Sequence, residues 1–166
     1  MRRVLYALGT LLVFVLDQAS KAGIRSRLAS NDSLTVVSGL FHLTLVTNRG
    51  ALFGLFRDLP DPFRAGLFTV VPALAIALIL YFQIQTSLAD TVAHWGLALI
   101  LGGALGNLSD RLRLGHVIDF LDFFLGTHHW PAFNLADSAI CVGVGLLALD
   151  LVRGRRHGPI DPPTEA

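Results

Sequence analysis

Ala93–Leu108 has the sequence AHWGLALILGGALGNL, an almost uninterrupted apolar run in which three glycines fall close together: Gly102, Gly103 and Gly106. A run of this kind is typical of a helix that crosses a membrane. Membrane helices associate where small residues let their backbones approach, because no water drives them together. The sequence therefore predicts a membrane-spanning helix that packs closely against its neighbours.

Three further apolar runs predict three more spans, at Val4–Leu16, Ala65–Phe82 and Ala132–Val152. The first follows a basic start, a pattern that secretory signal peptides share. The charged residues just after it fit a cleavage region poorly, and a helix continued to Ile24 is long enough for a hydrocarbon core of roughly 30 Å. We interpret it as an uncleaved span. Pro72, inside the second run, is tolerated in membrane helices.

The overall composition agrees with a membrane protein. Of the 166 residues, 53% are hydrophobic and only 15% are charged, whereas soluble domains carry about 25% charged residues. The net charge of +1 provides no basic surface for nucleic acid, which we do not expect as a partner. Cys141 is the only cysteine, so no internal disulfide can form, and its apolar surroundings favour a small buried residue.

The connection between the first two spans contains two β-branched, partly alternating segments, Leu34–Val37 and Leu40–Val46, followed by a turn signal at Asn48–Gly50. These features predict short strands in a sheet on the membrane surface. The expected fold is an all-α membrane protein with a small β element, in which the surface segment covers about residues 25–64. Residues 1–153 form one domain, and the polar, proline-rich residues 154–166 are expected to be disordered.

Four spans place both termini on one side of the membrane. That side carries five Lys and Arg residues and the other side eight, so a simple count opposes cytoplasmic termini. The positive-inside rule gives most weight to charges next to span ends, and the first helix often dominates. Arg2, Arg3 and the cluster Arg153–Arg156 therefore favour termini in the cytoplasm.

Charged residues inside the spans are candidates for function because they are costly there. Asp17 and Lys21 lie four residues apart, as do Asn107 and Arg111, so each pair shares a helix face. The first pair predicts either a structural ion pair or a contact to substrate or lipid headgroup. For Arg111 the open alternatives are pairing with Asp110, with a headgroup phosphate or with a substrate carbonyl.

Asp119 and Asp137 are the candidate catalytic residues. Asp119 lies in the apolar segment Val117–Phe120 just after the third span, and Asp137 lies one turn into the fourth, so both reach the same membrane face. Two adjacent carboxylates do not both ionise easily, which allows one to activate water while the other donates a proton. Spacing alone leaves two alternatives: Asp119 paired with Arg111 or Arg113, and Asp137 as a charge at a helix N-terminus.

Several other features bear on this interpretation. Asn134 precedes Asp137 by three residues on the same helix face and can donate a hydrogen bond to the site. Asp122 is the rival acid in the same connection. The six histidines show no HExxH or Cys/His spacing, so we expect no metal site. An ion channel would need polar residues throughout the membrane depth, whereas these residues cluster near one face.

Five short motifs occur in order over residues 17–138: D-Q-x-x-K, N-x-G-x-x-F, G-G-A-L-G-N-x-x-D-R, V-x-D-F and F-N-x-A-D. In this order they resemble the motifs of bacterial lipoprotein signal peptidases, the signal peptidase II family. The matching residues are Asp17, Gln18 and Lys21; Asn48, Gly50 and Phe53; Gly102 to Asn107 with Asp110 and Arg111; Val117, Asp119 and Phe120; and Phe133, Asn134, Ala136 and Asp137.

The resemblance implies an intramembrane aspartic endopeptidase, without metal or cofactor, in the bacterial inner membrane. It implies that Asp119 and Asp137 are the catalytic pair, near the periplasmic face, and that the surface segment is a periplasmic β-cradle. The implied substrate-binding residues are Asp17, Lys21, Asn48, Gly50, Phe53, Asn107, Arg111 and Asn134.

The resemblance also implies the partners. The substrates are diacylglyceryl-modified prolipoproteins, cut just before the lipid-modified cysteine, and the other partners are membrane lipids and cyclic-peptide inhibitors of the globomycin type. Arg49 and Leu52, inside the second motif, and Gly54, just after it, depart from the residues that the resemblance leads us to expect. The resemblance implies that Phe53 lies on a loop over the active site, and Arg49 adds charge and bulk beside that loop, where it would alter the fit of substrate or inhibitor.

Overall fold

Four long helices and a small antiparallel sheet make up the part of the chain described by the structure, a computed structural model that describes residues 1–30, 32–50 and 60–154. The helices are α1 (Arg2–Arg25), α2 (Asp61–Gln85), α3 (Thr91–Leu114) and α4 (Leu135–Gly154). The strands are β1 (Ser33–Val37), β2 (Phe41–Asn48), β3 (Val117–Leu125) and β4 (His128–His129).

All four helices are long and apolar enough to cross a membrane, which confirms the four predicted spans. α3 continues beyond the apolar run through a charged stretch and ends where Gly115 adopts a left-handed φ of +74°. Arg111 and Arg113 occupy its last turn. Cations are favourable there because they face the negative end of the helix dipole. This explains why the helix extends beyond the apolar run.

α3 is the central helix of the bundle. In its most apolar window 56% of the residues are buried within the protein, against 6% for α2 and 11% for α4. It packs against each of the other three helices. The exposed leucines and valines of α1, α2 and α4 therefore form an outer surface suited to lipid, while α3 forms the core.

Glycines on α3 allow this packing, as predicted. A Cβ atom added at Gly102 would lie 2.7 Å from the carbonyl oxygen of Thr10 on α1, and one at Gly103 would collide with the carbonyl of Ala136 on α4. Gly106 approaches Asp17 so closely that an added Cβ would lie 2.5 Å from a carboxylate oxygen. The third apolar run therefore determines where α1 and α4 sit.

The sheet has the strand order β1-β2-β3-β4, with antiparallel pairing throughout. The strands predicted between the first two spans are confirmed as β1 and β2. No strand was predicted between the third and fourth spans, where β3 and β4 lie. The first half of β3 is buried on both faces, so its sequence lacks the alternation that marks a half-exposed strand.

The interpretation of Cys141 as a buried residue was wrong. Its side chain is exposed on α4, on the outer side of the bundle. Phe53, Leu52 and Gly54, as well as residues 155–166 of the tail, lie outside the described residues.

Candidate active site

Asp119 is a buried carboxylate at the junction of the sheet and the helices. It lies on β3 directly opposite Val46 of β2, and its side chain is only 2% exposed. Asn48 lies two residues beyond Val46 and so on the same face of the sheet. The Nδ2 of Asn48 donates to Oδ2 of Asp119 at 2.9 Å, and the Nδ2 of Asn134 donates to Oδ1 at 2.7 Å. Both carboxylate oxygens are therefore held by amide donors.

The pKa of Asp119 is raised from 3.8 to about 6. Burial is the largest cause, because it disfavours the charged form, and the nearby charge of Asp137 acts in the same direction. The hydrogen bonds from Asn48 and Asn134 oppose the rise. Asp119 can therefore carry a proton close to neutral pH, which an ordinary aspartate cannot.

Asp137 lies in the first turn of α4 and exchanges hydrogen bonds with Asn134, the residue before the helix. The backbone N–H of Asn134 donates to Oδ2 of Asp137 at 3.1 Å, and the backbone N–H of Asp137 donates to Oδ1 of Asn134 at 2.9 Å. This is the reciprocal arrangement of a capping box. It fixes the Asp137 carboxylate at the N-terminus of α4.

Two asparagines connect the carboxylates. Asn107 on α3 donates from Nδ2 to Oδ1 of Asp137 at 2.8 Å, and its own Oδ1 accepts from Nδ2 of Asn134 at 3.1 Å. Nδ2 of Asn134 is also the donor to Asp119. The chain of contacts thus runs from Asp119 through Asn134 and Asn107 to Asp137, so that β3, α3 and α4 must all be in place for the two acids to face one site.

A buried network of charged side chains lies next to these hydrogen bonds. Lys21 Nζ is 2.8 Å from Oδ2 of Asp17 and 2.8 Å from Oδ2 of Asp110, and it donates to Oδ1 of Asn107 at 3.1 Å. Because Asn107 Oδ1 receives donors from Lys21 and Asn134, its Nδ2 must point toward Asp137. The lysine therefore sets the orientation of the amide that holds the second carboxylate.

The Asp17–Lys21 pair is confirmed, and burial favours the structural alternative over direct contact with substrate. Asp17 is 0% exposed and Lys21 2%, and Oδ1 of Asp17 accepts the backbone N–H of Ala136 at 3.0 Å. That bond ties α1 to the start of α4. Substrate contact by either residue stays a prediction.

Asp110 is a member of the network whose partner the sequence left open. Pairing with Arg111 was one alternative, but the carboxylate of Asp110 pairs with Lys21 and accepts from Nε2 of Gln18 at 2.9 Å. The signal was present in the spacing, since Asn107 and Asp110 lie three residues apart and so share the face that α3 turns toward α1.

Gly50 and Arg111 lie at the edge of the site. Gly50 has a φ of +92°, and its N–H donates to Oδ1 of Asn48 at 2.8 Å, which leaves the Nδ2 of Asn48 facing Asp119. The Phe68 ring occupies the space that a side chain at position 50 would need. Arg111 is partly exposed, has Asp137 and Asp119 among its charged neighbours, and lines a small cavity of about 40 Å³ together with Arg49.

The rival acid Asp122 lies elsewhere. It is three residues from Asp119, an odd spacing that turns it to the other face of β3, where its carboxylate lies 2.9 Å from Nδ1 of His129. Asp119 is likewise not paired with Arg111 or Arg113 among the described residues. Within residues 1–30, 32–50 and 60–154, no group of three or more His, Cys, Asp or Glu side chains could hold a metal ion.

Comparison with known protein families gives a match over residues 9–153 to the family model described as signal peptidase (SPase) II. The lipoprotein signal peptidase of Syntrophus aciditrophicus is 42% identical over 93% of this chain and 96% of its own. The lipoprotein signal peptidase of Geobacter sulfurreducens is 48% identical over 86% of this chain and 88% of its own.

Two solved structures have a similar fold. Both are bacterial membrane enzymes determined by the in meso method, one at 2.3 Å and one at 1.9 Å resolution. The first has a TM-score of 0.80 and 27% identity, covering 94% of this chain and 94% of its own. The second has a TM-score of 0.80 and 29% identity, covering 89% and 92%.

Proposed function

The chain belongs to the signal peptidase II family, and from this premise we propose that it is an intramembrane aspartic endopeptidase with Asp119 and Asp137 as its catalytic pair. Its substrates are diacylglyceryl-modified prolipoproteins, which it cuts just before the lipid-modified cysteine. The observation that carries the proposal is the link between the two carboxylates through Asn134 and Asn107.

The two aspartates differ in a way that suits acid and base roles. Burial raises the pKa of Asp119, so that it can carry a proton, whereas the carboxylate of Asp137 accepts N–H donors from Asn107 and Asn134 at the start of α4. Asp137 accepts a proton from water as the water oxygen bonds to the peptide carbonyl carbon, and Asp119 gives its proton to the carbonyl oxygen. The C–N bond then breaks as Asp137 protonates the leaving nitrogen, and a hydroxyl of the intermediate returns a proton to Asp119.

The roles that we propose for the other site residues depend on whether they are buried or exposed. The buried Asp17, Lys21, Asn107 and Asn134 position the pair, and Asn48 orients Asp119. Arg111, at the open edge, is placed to contact a substrate carbonyl or headgroup. Gly50 begins the segment that leads to Phe53, for which we keep the role of a substrate contact.

The four spans and the family support a multi-pass protein of the bacterial inner membrane. We propose cytoplasmic termini and an active site near the periplasmic face. This orientation brings the pair to the side on which the cysteine of an exported lipoprotein precursor arrives.

The purified protein tests this function directly. It is incubated with a diacylglyceryl-modified prolipoprotein and, in parallel, with the same precursor lacking the lipid. We expect cleavage of the modified precursor alone, at the bond before the cysteine, measured by mass spectrometry of the released peptide. Equal cleavage of both precursors would contradict the proposed substrate, and no cleavage of either would contradict the proposed activity. Cyclic peptides of the globomycin type, added in a third arm, are expected to inhibit.

A further inference from the structure

A cleft lies between α1 and α2 at the end of the bundle opposite the aspartates. Within the described residues these two helices pack on α3 and not on each other. The space between them is a cavity of about 220 Å³. Along α3, His94 at the floor of the cleft lies about 20 Å from Asn107 at a rise of 1.5 Å per residue. The cleft is therefore separate from the active site.

Three buried polar atoms beside the cleft, on His94 and the half-buried Gln83, have no hydrogen-bond partner within the described residues. His94 is 1% exposed, and neither of its ring nitrogens has a hydrogen bond within the described residues; the same holds for Oε1 of Gln83 on α2. The His94 ring is stacked on Tyr6, with ring centroids 4.5 Å apart and planes 10° apart, so it is held in place. Buried polar groups nearly always have a partner, which means that these atoms are positioned for something that enters the cleft.

The lining shows what chemistry would fit. Arg3, exposed at the rim, contributes a positive charge and has no ion pair within the described residues. The other walls are largely apolar, with Ala7 of α1 facing Leu80 and Ile84 of α2. An occupant needs an anionic group for Arg3, hydroxyl donors for Gln83 and a ring nitrogen, and an apolar part that lies against the exposed helices.

We propose that this cleft binds a single anionic phospholipid with a hydroxylated headgroup, for which phosphatidylglycerol is the probe. The phosphate accepts from Arg3 and from the N–H of His94. The glycerol hydroxyls donate to Oε1 of Gln83 and to the other ring nitrogen, and the acyl chains lie along α1 and α2. Basic pockets between membrane helices bind anionic headgroups in this way. The proposal does not depend on the peptidase activity.

The test is lipid retention by the full-length protein, measured by native mass spectrometry after incubation with phosphatidylglycerol, phosphatidylethanolamine or glycerol phosphate. We expect preferential retention of phosphatidylglycerol. Arg3→Gln should weaken it about fivefold, the effect of one cation near a headgroup. His94→Phe keeps a ring against Tyr6 but removes both nitrogens, and should weaken it similarly. Thermal unfolding checks that each variant is folded.

Arg2→Gln is the matched control. It removes the same charge one residue away, from a side chain that donates to the carbonyl of Leu88 rather than lining the cleft. Retention by Arg2→Gln should equal that of the unaltered protein. Equal weakening by Arg2→Gln and Arg3→Gln would overturn the proposal in favour of diffuse surface attraction. Equal retention of the two lipids, binding of glycerol phosphate alone, or water molecules as the only partners of His94 and Gln83 in an experimental structure would overturn it as well.

Discussion

The two ends of the helical bundle differ in whether their buried polar groups have hydrogen-bond partners. At the end that carries Asp119, the buried side chains of Asp17, Lys21, Asn107 and Asn134 all have hydrogen-bond partners within the described residues. At the other end, both ring nitrogens of His94 and Oε1 of the half-buried Gln83 are buried without a hydrogen-bond partner within the described residues. The first arrangement fixes two carboxylates in place, and the second leaves a requirement that only a bound molecule can meet.

Replacing Lys21 is expected to have the largest effect on the end of the bundle that carries Asp119. Lys21→Met leaves Asp17 and Asp110 buried without their cation, and we expect a loss of about 3–5 kcal/mol in the free energy of unfolding. Arg25→Met, at an exposed position on the same helix, should change it by less than about 0.5 kcal/mol. Denaturant or thermal unfolding in detergent measures both.

Replacing His94, at the other end of the bundle, should change the free energy of unfolding only slightly. His94→Phe removes nitrogens that have no protein partner, so in zwitterionic detergent we expect a change of less than about 1 kcal/mol. Comparable losses from Lys21→Met and His94→Phe would remove the distinction between the two ends.

Much of the structure at the end that carries Asp119 could be predicted from the sequence. Hydropathy gave the four spans, and the i,i+4 spacing gave the Asp17–Lys21 pair. The contact from Asn48 to Asp119 was not visible, since it depends on the register of β2 against β3, and β3 itself lacks an alternating pattern. The cleft around His94 was also beyond prediction, because it arises from two helices that fail to touch.

The pH dependence of stability tests the electrostatics of Asp119. Its folded pKa of about 6 exceeds the unfolded value of 3.8, so between these values the folded protein holds a proton that the unfolded chain has lost. Stability should therefore fall as the pH rises from about 4 to 6, by on the order of 2–3 kcal/mol from this residue. Unfolding at a series of pH values, compared with Asp119→Asn, isolates the effect. Parallel curves for the two proteins would contradict it.

The close approach of α3 to α1 gives a smaller expected effect. Gly106→Ala places a methyl group against the buried carboxylate of Asp17 and should cost about 1–3 kcal/mol. Gly145→Ala, on α4 with nothing within 4 Å of the added methyl, should be neutral or stabilise by up to about 1 kcal/mol. Equal effects in thermal unfolding would mean that the packing of α3 does not constrain the network.

Cleavage of the lipid-modified precursor by single aspartate variants tests the proposed pair most directly. Asp119→Asn and Asp137→Asn keep the side-chain shape but cannot exchange the proton, and each should lower the cleavage rate by at least about 10²–10⁴-fold. Asp122→Asn, on the other face of β3, should leave the rate nearly unchanged. Cleavage near the unaltered rate by either Asp119→Asn or Asp137→Asn, or complete loss in Asp122→Asn, would contradict the assignment.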